Sequence, residues 1–300
     1  MTQKASTKET IGIIAWGAMA DVLYATPIVR QIRRMHPEAH ITWLVRDKFA
    51  EVVETNPDIN AVEEFALPTG YESRQDAEYT MDQSILEFAH RVYDKVYDLQ
   101  YWPRHSNFFE NPSEDFISLR ARNAGLPSPE DRKIVLECTP GDLQATADFV
   151  KANGIAKVTD KFITVNHISY AASPVWSPEN YQLLVGYLKN RDIQCVFTGA
   201  PNEPIPDGAI DARGMPYRVW ANLISISDLW LGLDSGAVAL ACASDTPIIK
   251  LHSPDFPLNK TGIKAMGLRT DSKVLELCPA PNAGILTDFI EGYTCKTSTN

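Results

Sequence analysis

The sequence predicts an α/β protein built from two doubly wound halves, each a parallel sheet covered by helices. Two observations carry that expectation. Short, almost continuously apolar runs alternate with segments of helical period, which is the pattern of βαβ units whose strands are buried on both faces. The alternation also stops and restarts, with the polar stretch "VKANGIAKVTDK" between two such series.

In the first series the strands are "IGIIAW" (11–16), "HITWLV" (40–45), "AVEEFAL" (61–67) and "KVYDLQYW" (95–102), rich in the β-branched and aromatic residues that suit a pleated buried surface. Helical patterns fall between them at about 21–36, 47–56 and 79–93. The segment from Phe109 to Gly154 adds a helix, a Pro-rich turn, a short strand and a last helix that "TPGDL" starts, with Thr139 as N-cap and Pro140 at N1. It reads as the close of the first half. The second series has strands "FITVNHI" (162–168), "IQCVFTG" (193–199), "LWLGLD" (229–234) and "PIIKLHS" (247–253), with helices at about 178–190, 217–226 and 236–244. A short terminal helix, "NAGILTDFIEGY", follows. The boundary is expected near 152–160, giving domains 1–155 and 156–300.

Composition narrows the function classes. Of 300 residues 44% are apolar, enough for two sizeable cores, and 28 Lys and Arg stand against 38 Asp and Glu. The resulting net charge of −10 disfavours nucleic acid or anionic lipid as partner. The five cysteines, Cys138, Cys195, Cys242, Cys278 and Cys295, form no C-x-x-C pair, so neither a zinc knuckle nor a disulfide framework is expected. No window approaches the roughly 20 apolar residues of a bilayer span, and the start "MTQKASTKET" has no apolar signal core, so the expected location is cytoplasmic.

In open parallel sheets ligands bind beyond the carboxyl ends of the strands. The polar residues at those ends are Asp21, Arg104 and His105 in the first half, and His167, Ser169, Glu203, Asp234, Ser235 and Gly236 in the second. An acid, a hydroxyl and a glycine entering a helix offer N–H groups to a phosphate or sugar oxygen, although Asp234 or Ser235 as a plain helix cap explains the same residues. Asp21 likewise fits an acid that satisfies the free N–H groups and dipole of a helix start. No G-x-G-x-x-G or G-x-x-x-x-G-K-[ST] loop is present, and no D-x-D pair suggests a metal-held sugar nucleotide.

Four segments together resemble one family. "ADVLYATPIVRQIRRMHPEAHITWLV" resembles the opening G-D-[VI]-L-x-x-T-P pattern of heptosyltransferase-like glycosyltransferases, glycosyltransferase family 9. "YDKVYDLQ" is similar to their YD-x-x-IDLQ strand, "VWSPENYQLLVGYL" to their K-x-W-P-x-E-x-[WF] segment, and "LWLGLDSGAVALACASDTPIIKLHSPDFP" to their D-[TS]-G-x-x-H region. The similarity is in order from about residue 10 to 290.

The resemblance implies a GT-B fold, two Rossmann-like domains facing a cleft, the first for the acceptor and the second for a nucleotide-sugar. The terminal helix is then a candidate to pack back on the first domain. It implies inverting transfer of a sugar from a nucleoside-diphosphate sugar, ADP-heptose in the family precedent, to an acceptor hydroxyl, without metal or cofactor, and a link to lipopolysaccharide synthesis. Asp21 takes the place of the family's proposed base, which would draw the proton from a poorly nucleophilic hydroxyl. Ser169, Glu203, Asp234, Ser235 and Gly236 fall on donor-binding positions. The aromatic and cationic loop "YWPRHSNFFENPS", with Trp102, Arg104 and His105, joined by Phe108 and Phe109, is the acceptor candidate, suited to a glycan, a protein side chain or a modified base.

The departures fall in the chemistry. Ala20 stands for the family's glycine, Pro174 for its diphosphate lysine, Ala239 for its D-[TS]-G-x-x-H histidine, and Asp255 lies one place early. Lys250, His252, Lys260 and Lys264 are the candidates to replace the lost positive charge, with His252 taken as a donor-side residue. A degenerate nucleotide-sugar-binding or interaction protein of the same fold is the alternative expectation.

Overall fold

The computed structural model describes residues 8–71, 73–100, 114–155, 161–169, 176–253, 258–278 and 280–294, without the side chains of Lys260 and residues 292–294. The chain forms two compact units, Met1–Leu136 and Glu137–Asn300. Both are parallel α/β structures.

In the first unit the strands are β1 (Thr10–Ile14), β2 (His40–Arg46), β3 (Ala61–Phe65) and β4 (Lys95–Asp98), all parallel in the order β3-β2-β1-β4. Helix α1 (Met19–Met35) joins β1 to β2, a 3-10 turn (Asp47–Val52) and loop lead to β3, and α2 (Arg74–Val92) leads to β4. α3 (Phe116–Asn123) follows. The order reverses at β1, so the crevice between β1 and β4 is the switch point at which a parallel sheet opens to ligands.

α1 carries a proline in its interior, and the sequence supplies its remedy one residue earlier. Pro27 has no N–H to give to the Leu23 carbonyl, and the Thr26 hydroxyl donates to that oxygen instead at 2.8 Å. The same hydroxyl accepts the Val135 N–H at 3.0 Å, tying the segment after α3 to the helix. This is the physical use of the "TP" pair. It also explains one correction: the short strand expected near "KIVLEC" is not a strand, because Val135 hydrogen-bonds a helix side chain, with Ile134 and Val135 buried.

In the second unit β5 (Lys161–Asn166), β6 (Ile193–Phe197), β7 (Ile210–Asp211), β8 (Leu229–Leu233), β9 (Ile248–Leu251) and β10 (Val274–Leu277) form a parallel sheet in the order β10-β9-β8-β5-β6-β7. Helices α4 (Pro140–Ala152), α5 (Pro178–Lys189), α6 (Tyr217–Ser225), α7 (Ala237–Cys242), the single turn α8 (Leu258–Thr261) and α9 (Ala283–Thr294) cover it. One face packs Ile163, Val165, Phe197, Leu231 and Ile249 against Leu184 and Leu188 of α5 and Leu286 and Ile290 of α9. The opposite face packs Phe162 and Val196 against Leu223 of α6 and Ile155, Phe149 and Val150.

That second layer moves the boundary. α4 starts as expected, with Thr139 and Asp142 in a reciprocal capping box and Pro140 at N1, but it packs on α6 through an Arg218–Asp142 ion pair of 2.8 Å. It therefore belongs to the second unit, and the division falls near residue 136 rather than 155. α9 lies on α5, where Trp176 Nε1 donates to the Pro281 carbonyl at 2.6 Å and Arg191 pairs with Glu291 at 3.1 Å. Its packing partner is in its own unit. The helix expected over 47–56 is only the 3-10 turn, and β7, β10 and α8, too short to show a period, were not expected.

Candidate functional site

Asp21 stands at the third residue of α1, beside the loop that leaves β1. Ala18, the N-cap, has no side chain able to cap, and Asp21 Oδ2 accepts the Ala18 N–H at 2.9 Å. The helix-start role is thus filled by the same carboxylate that the sequence offers as a base. Gln100 holds the loop from the β4 side, its Oε1 accepting the Trp16 and Gly17 N–H groups at 3.1 and 3.2 Å. Gly17 leaves the room: a Cβ there would come within 2.6 Å of Asp21 Oδ2.

A buried cation lies behind this acid. Arg120, 1% exposed on α3, donates to the Leu99 carbonyl at 2.6 Å and to the Asp21 carbonyl, and its guanidinium sits 5.4 Å from the Phe116 ring centre. Burial pushes the Asp21 carboxyl up from 3.8, against the pull of Arg120 and the Ala18 N–H, and the Glu78 carboxylate adds to the rise. Burial in turn brings Arg120 down to about 10, opposed by Asp21 and Asp98. The result is a carboxylate more basic than a free aspartate. Arg120 was not legible in the sequence, where an arginine on a short helix reads as solvated.

In the second unit Ser169, Asp234, Ser235 and His252 come together at the ends of β5, β8 and β9. Ser235 Oγ donates to Asn166 Oδ1 at 2.6 Å, and Ser169 Oγ donates to the Asp234 carbonyl at 2.5 Å. Lys250 and His252, on the same side of β9, both reach the Asp234 carboxylate: Lys250 Nζ lies 2.7 Å from Oδ1 and His252 Nδ1 3.0 Å from Oδ2. Lys250 is 0% exposed and also meets the Thr261 carbonyl at 3.1 Å and Glu276 Oε1 at 3.8 Å. Burial would raise the Asp234 carboxyl, but His252 and Lys250 outweigh it and hold Asp234 below its usual value. The Asp234-Ser235-Gly236 turn is therefore braced from both neighbouring strands, with Gly236 as the N-cap of α7.

Lys250 is consumed by this brace. Its charge faces two carboxylates and a carbonyl, so it does not stand free in place of the missing lysine and histidine. Ala239 is fully buried within α7, a packing position. Lys264 is exposed.

Glu203 lies apart from that cluster, in the loop after β6, 5% exposed and packed against the Cα of Gly199. Gly199 has φ +151, and a Cβ there would meet Glu203 Oε2 at 2.0 Å. Gly199→Ala is therefore expected to cost about 1–3 kcal/mol, read as a lower midpoint in denaturant unfolding. An unchanged midpoint would show that the loop relaxes freely.

Beside Glu203 the His167 ring packs edge-on to Tyr181 and Phe197, with Nε2 2.5 Å from the Pro204 carbonyl. Burial lowers its basicity, so the ring is neutral at neutral pH, with the proton on Nε2. The acceptor candidates Trp102, Arg104 and His105, with Phe108 and Phe109, lie outside the described residues, as do Pro174 and Asp255, and the Lys260 side chain is likewise not described. Among the described residues no group of three or more His, Cys, Asp or Glu side chains is placed to hold a metal ion, and no helix is long and apolar enough to cross a membrane.

No family model matches the sequence, and no curated protein does so. Solved structures do match the fold. A glycosyl transferase family 9 protein from Veillonella parvula superposes with a TM-score of 0.69 at 17% identity, over 95% of this chain and 91% of that one. The E. coli ADP-heptose lipopolysaccharide heptosyltransferase II matches with a TM-score of 0.65 at 12% identity, over 97% and 100% of the two chains. E. coli heptosyltransferase WaaC, solved with ADP-2-deoxy-2-fluoro heptose, matches with a TM-score of 0.59 at 17% identity, over 94% and 99%. At such identities the likeness is one of fold: two Rossmann-like units of the GT-B class, over nearly the full length of the heptosyltransferases.

Proposed function

We propose that the chain is an inverting, metal-independent glycosyltransferase that moves a sugar from a nucleoside-diphosphate sugar to an acceptor hydroxyl, with Asp21 as general base. The observation that carries this reading is the Asp21 environment. A carboxylate made more basic by burial, held at the switch point of a parallel sheet and backed by the buried Arg120, suits removal of a proton from a sugar hydroxyl. In the proposed step Asp21 takes the acceptor's proton as the acceptor oxygen bonds to the anomeric carbon, and the bond from that carbon to the diphosphate oxygen breaks with its electron pair leaving on the diphosphate.

Ser169, Asp234, Ser235, Gly236, Glu203 and His252 are proposed to form the donor side, and Trp102, Arg104 and His105 the acceptor side. An ADP-sugar is the first donor to try, because two of the solved structures of like fold hold ADP or an ADP-heptose analogue. The Lys250 brace favours one second reading. With that cation already paired and with Pro174 and Ala239 where the resemblance leads one to expect a lysine and a histidine, a protein that binds a nucleotide-sugar without transferring it fits the same donor residues.

Mass spectrometry of a donor-by-acceptor array, run on the wild type and on Asp21→Asn, separates the two. A glycosylated product from the wild type alone supports transfer by Asp21. Saturable nucleotide-sugar binding with no product from any pair supports the binding protein. Gly17→Ala is a second probe of the same acid. Its Cβ would displace the Asp21 carboxylate, and turnover is expected to fall about 10- to 100-fold with donor binding unchanged; full turnover would show that the position of Asp21 is not critical.

A further inference from the structure

The second unit holds a cavity of about 520 Å³ at the carboxyl ends of β5, β6 and β8, next to the braced turn. Its walls are ring and aliphatic surface, among them Trp176, Tyr181 and Ile205, and its polar points include His167, Ser169 and Glu179. Trp176 is fixed by its bond to the Pro281 carbonyl and stacks edge-on against Tyr181, with ring centres 4.9 Å apart.

Charge is the informative feature. Among the described residues the lining contains one carboxylate, Glu179, and no lysine or arginine. The nearby buried cation, Lys250, is neutralised by Asp234 and Glu276. Among the described residues Arg213, whose charge reaches His167, is paired with Asp211 at 2.7 Å and donates to the Glu203 carbonyl, so a polyanion entering this cavity finds no free cation there, and burying an uncompensated charge is costly.

The lining also carries unmet hydrogen-bonding capacity. His167 Nδ1 and the Tyr181 hydroxyl are buried with no partner among the described residues. With Nε2 carrying the proton toward Pro204, Nδ1 is an acceptor, and the phenol both donates and accepts. Such orphaned groups beside a cavity gain most from a ligand that brings hydroxyls.

We infer that this cavity is a binding site for an uncharged ring bearing hydroxyl groups, held by aromatic contact and by hydrogen bonds to His167 and Tyr181 rather than by phosphate charge. The chemistry is shared by free sugars and by the ribose-bearing nucleosides. The inference deepens the proposed donor reading, on which it rests for its choice of probes, by assigning the donor's affinity to its ring part.

Titration calorimetry on the full chain tests it, with adenosine and uridine, their diphosphates, and neutral monosaccharides as probes, at low and high salt. A neutral ring is expected to bind within about threefold of its diphosphate, with no loss at high salt. Binding by nucleosides or by sugars tells which source the cavity takes. Ile205→Trp, which fills the cavity, is expected to weaken the neutral ligand at least about tenfold, and His167→Phe, which keeps a ring but removes the acceptor, at least about fivefold.

A diphosphate preferred by more than about tenfold with loss at high salt, no binding of any neutral probe, or unchanged binding by both variants would each overturn the inference. Those outcomes leave the transferase reading standing. That reading falls instead if neutral rings bind while no donor and acceptor pair yields a product.

Discussion

Asp21→Asn is expected to lower turnover by about two to four orders of magnitude while leaving nucleotide-sugar affinity within about twofold. The asparagine keeps an oxygen for the Ala18 N–H, so the start of α1 survives, and Arg120 keeps its bonds to the Leu99 and Asp21 carbonyls. What is lost is the basic carboxylate alone. The pH dependence follows from the direction of the shift. Burial raises the Asp21 carboxyl above 3.8, so turnover should fall as pH drops through that raised value and the base becomes protonated. Steady-state rates over a pH series check both claims, and wild-type turnover in the variant would remove Asp21 from the mechanism.

The second large effect concerns the brace beneath the Asp234 turn. Lys250→Met leaves the Asp234 and Glu276 carboxylates without the ammonium that faces both, and is expected to destabilise by about 3–5 kcal/mol. Asp234→Asn should cost toward the lower end of that range, because Lys250 keeps Glu276 and the Thr261 carbonyl. The sign with pH is fixed by the lowered Asp234 carboxyl. Its stabilisation is present above the unfolded value near 3.8 and is lost as pH falls through the lower folded value, so the gap between wild type and Asp234→Asn should close in acid. Denaturant unfolding of both single variants and the Lys250→Met/Asp234→Asn double variant measures the coupling. Strictly additive costs would show that the 2.7 Å pair contributes no coupling.

The placement of several candidate residues at strand ends was legible in the sequence. Asp21, Ser169 and the Asp234-Ser235-Gly236 turn sit at strand ends, and a buried parallel strand announces itself by its apolar run, as "IGIIAW" and "LWLGLD" do. Arg120 and Lys250 were not legible in their roles. Charged residues are seldom fully buried, so the lysine in "PIIKLHS" reads as a cation free to meet a diphosphate until Asp234 and Glu276 are found on either side of it. The expected strand at 133–138 that does not form and the shifted boundary have the same origin. Thr26 lies 109 residues from Val135, and Asp142 lies 76 from Arg218, contacts no local pattern encodes.

The sequence by itself determined the alternation of strands and helices, the two-unit plan, the start of α4 at Thr139, and the placing of acids and hydroxyls beyond strand ends. Those features rest on local periodicity and on capping chemistry, which act over a few residues. Only the tertiary structure decided that α4 belongs with α6, that α9 packs on α5, that Lys250 braces Asp234 from within the core, and that His167 and Tyr181 border a cavity with no lysine or arginine among its described lining. Each of these depends on which distant segments share a desolvated space, and in that space charges and hydrogen bonds must find partners that water would otherwise supply.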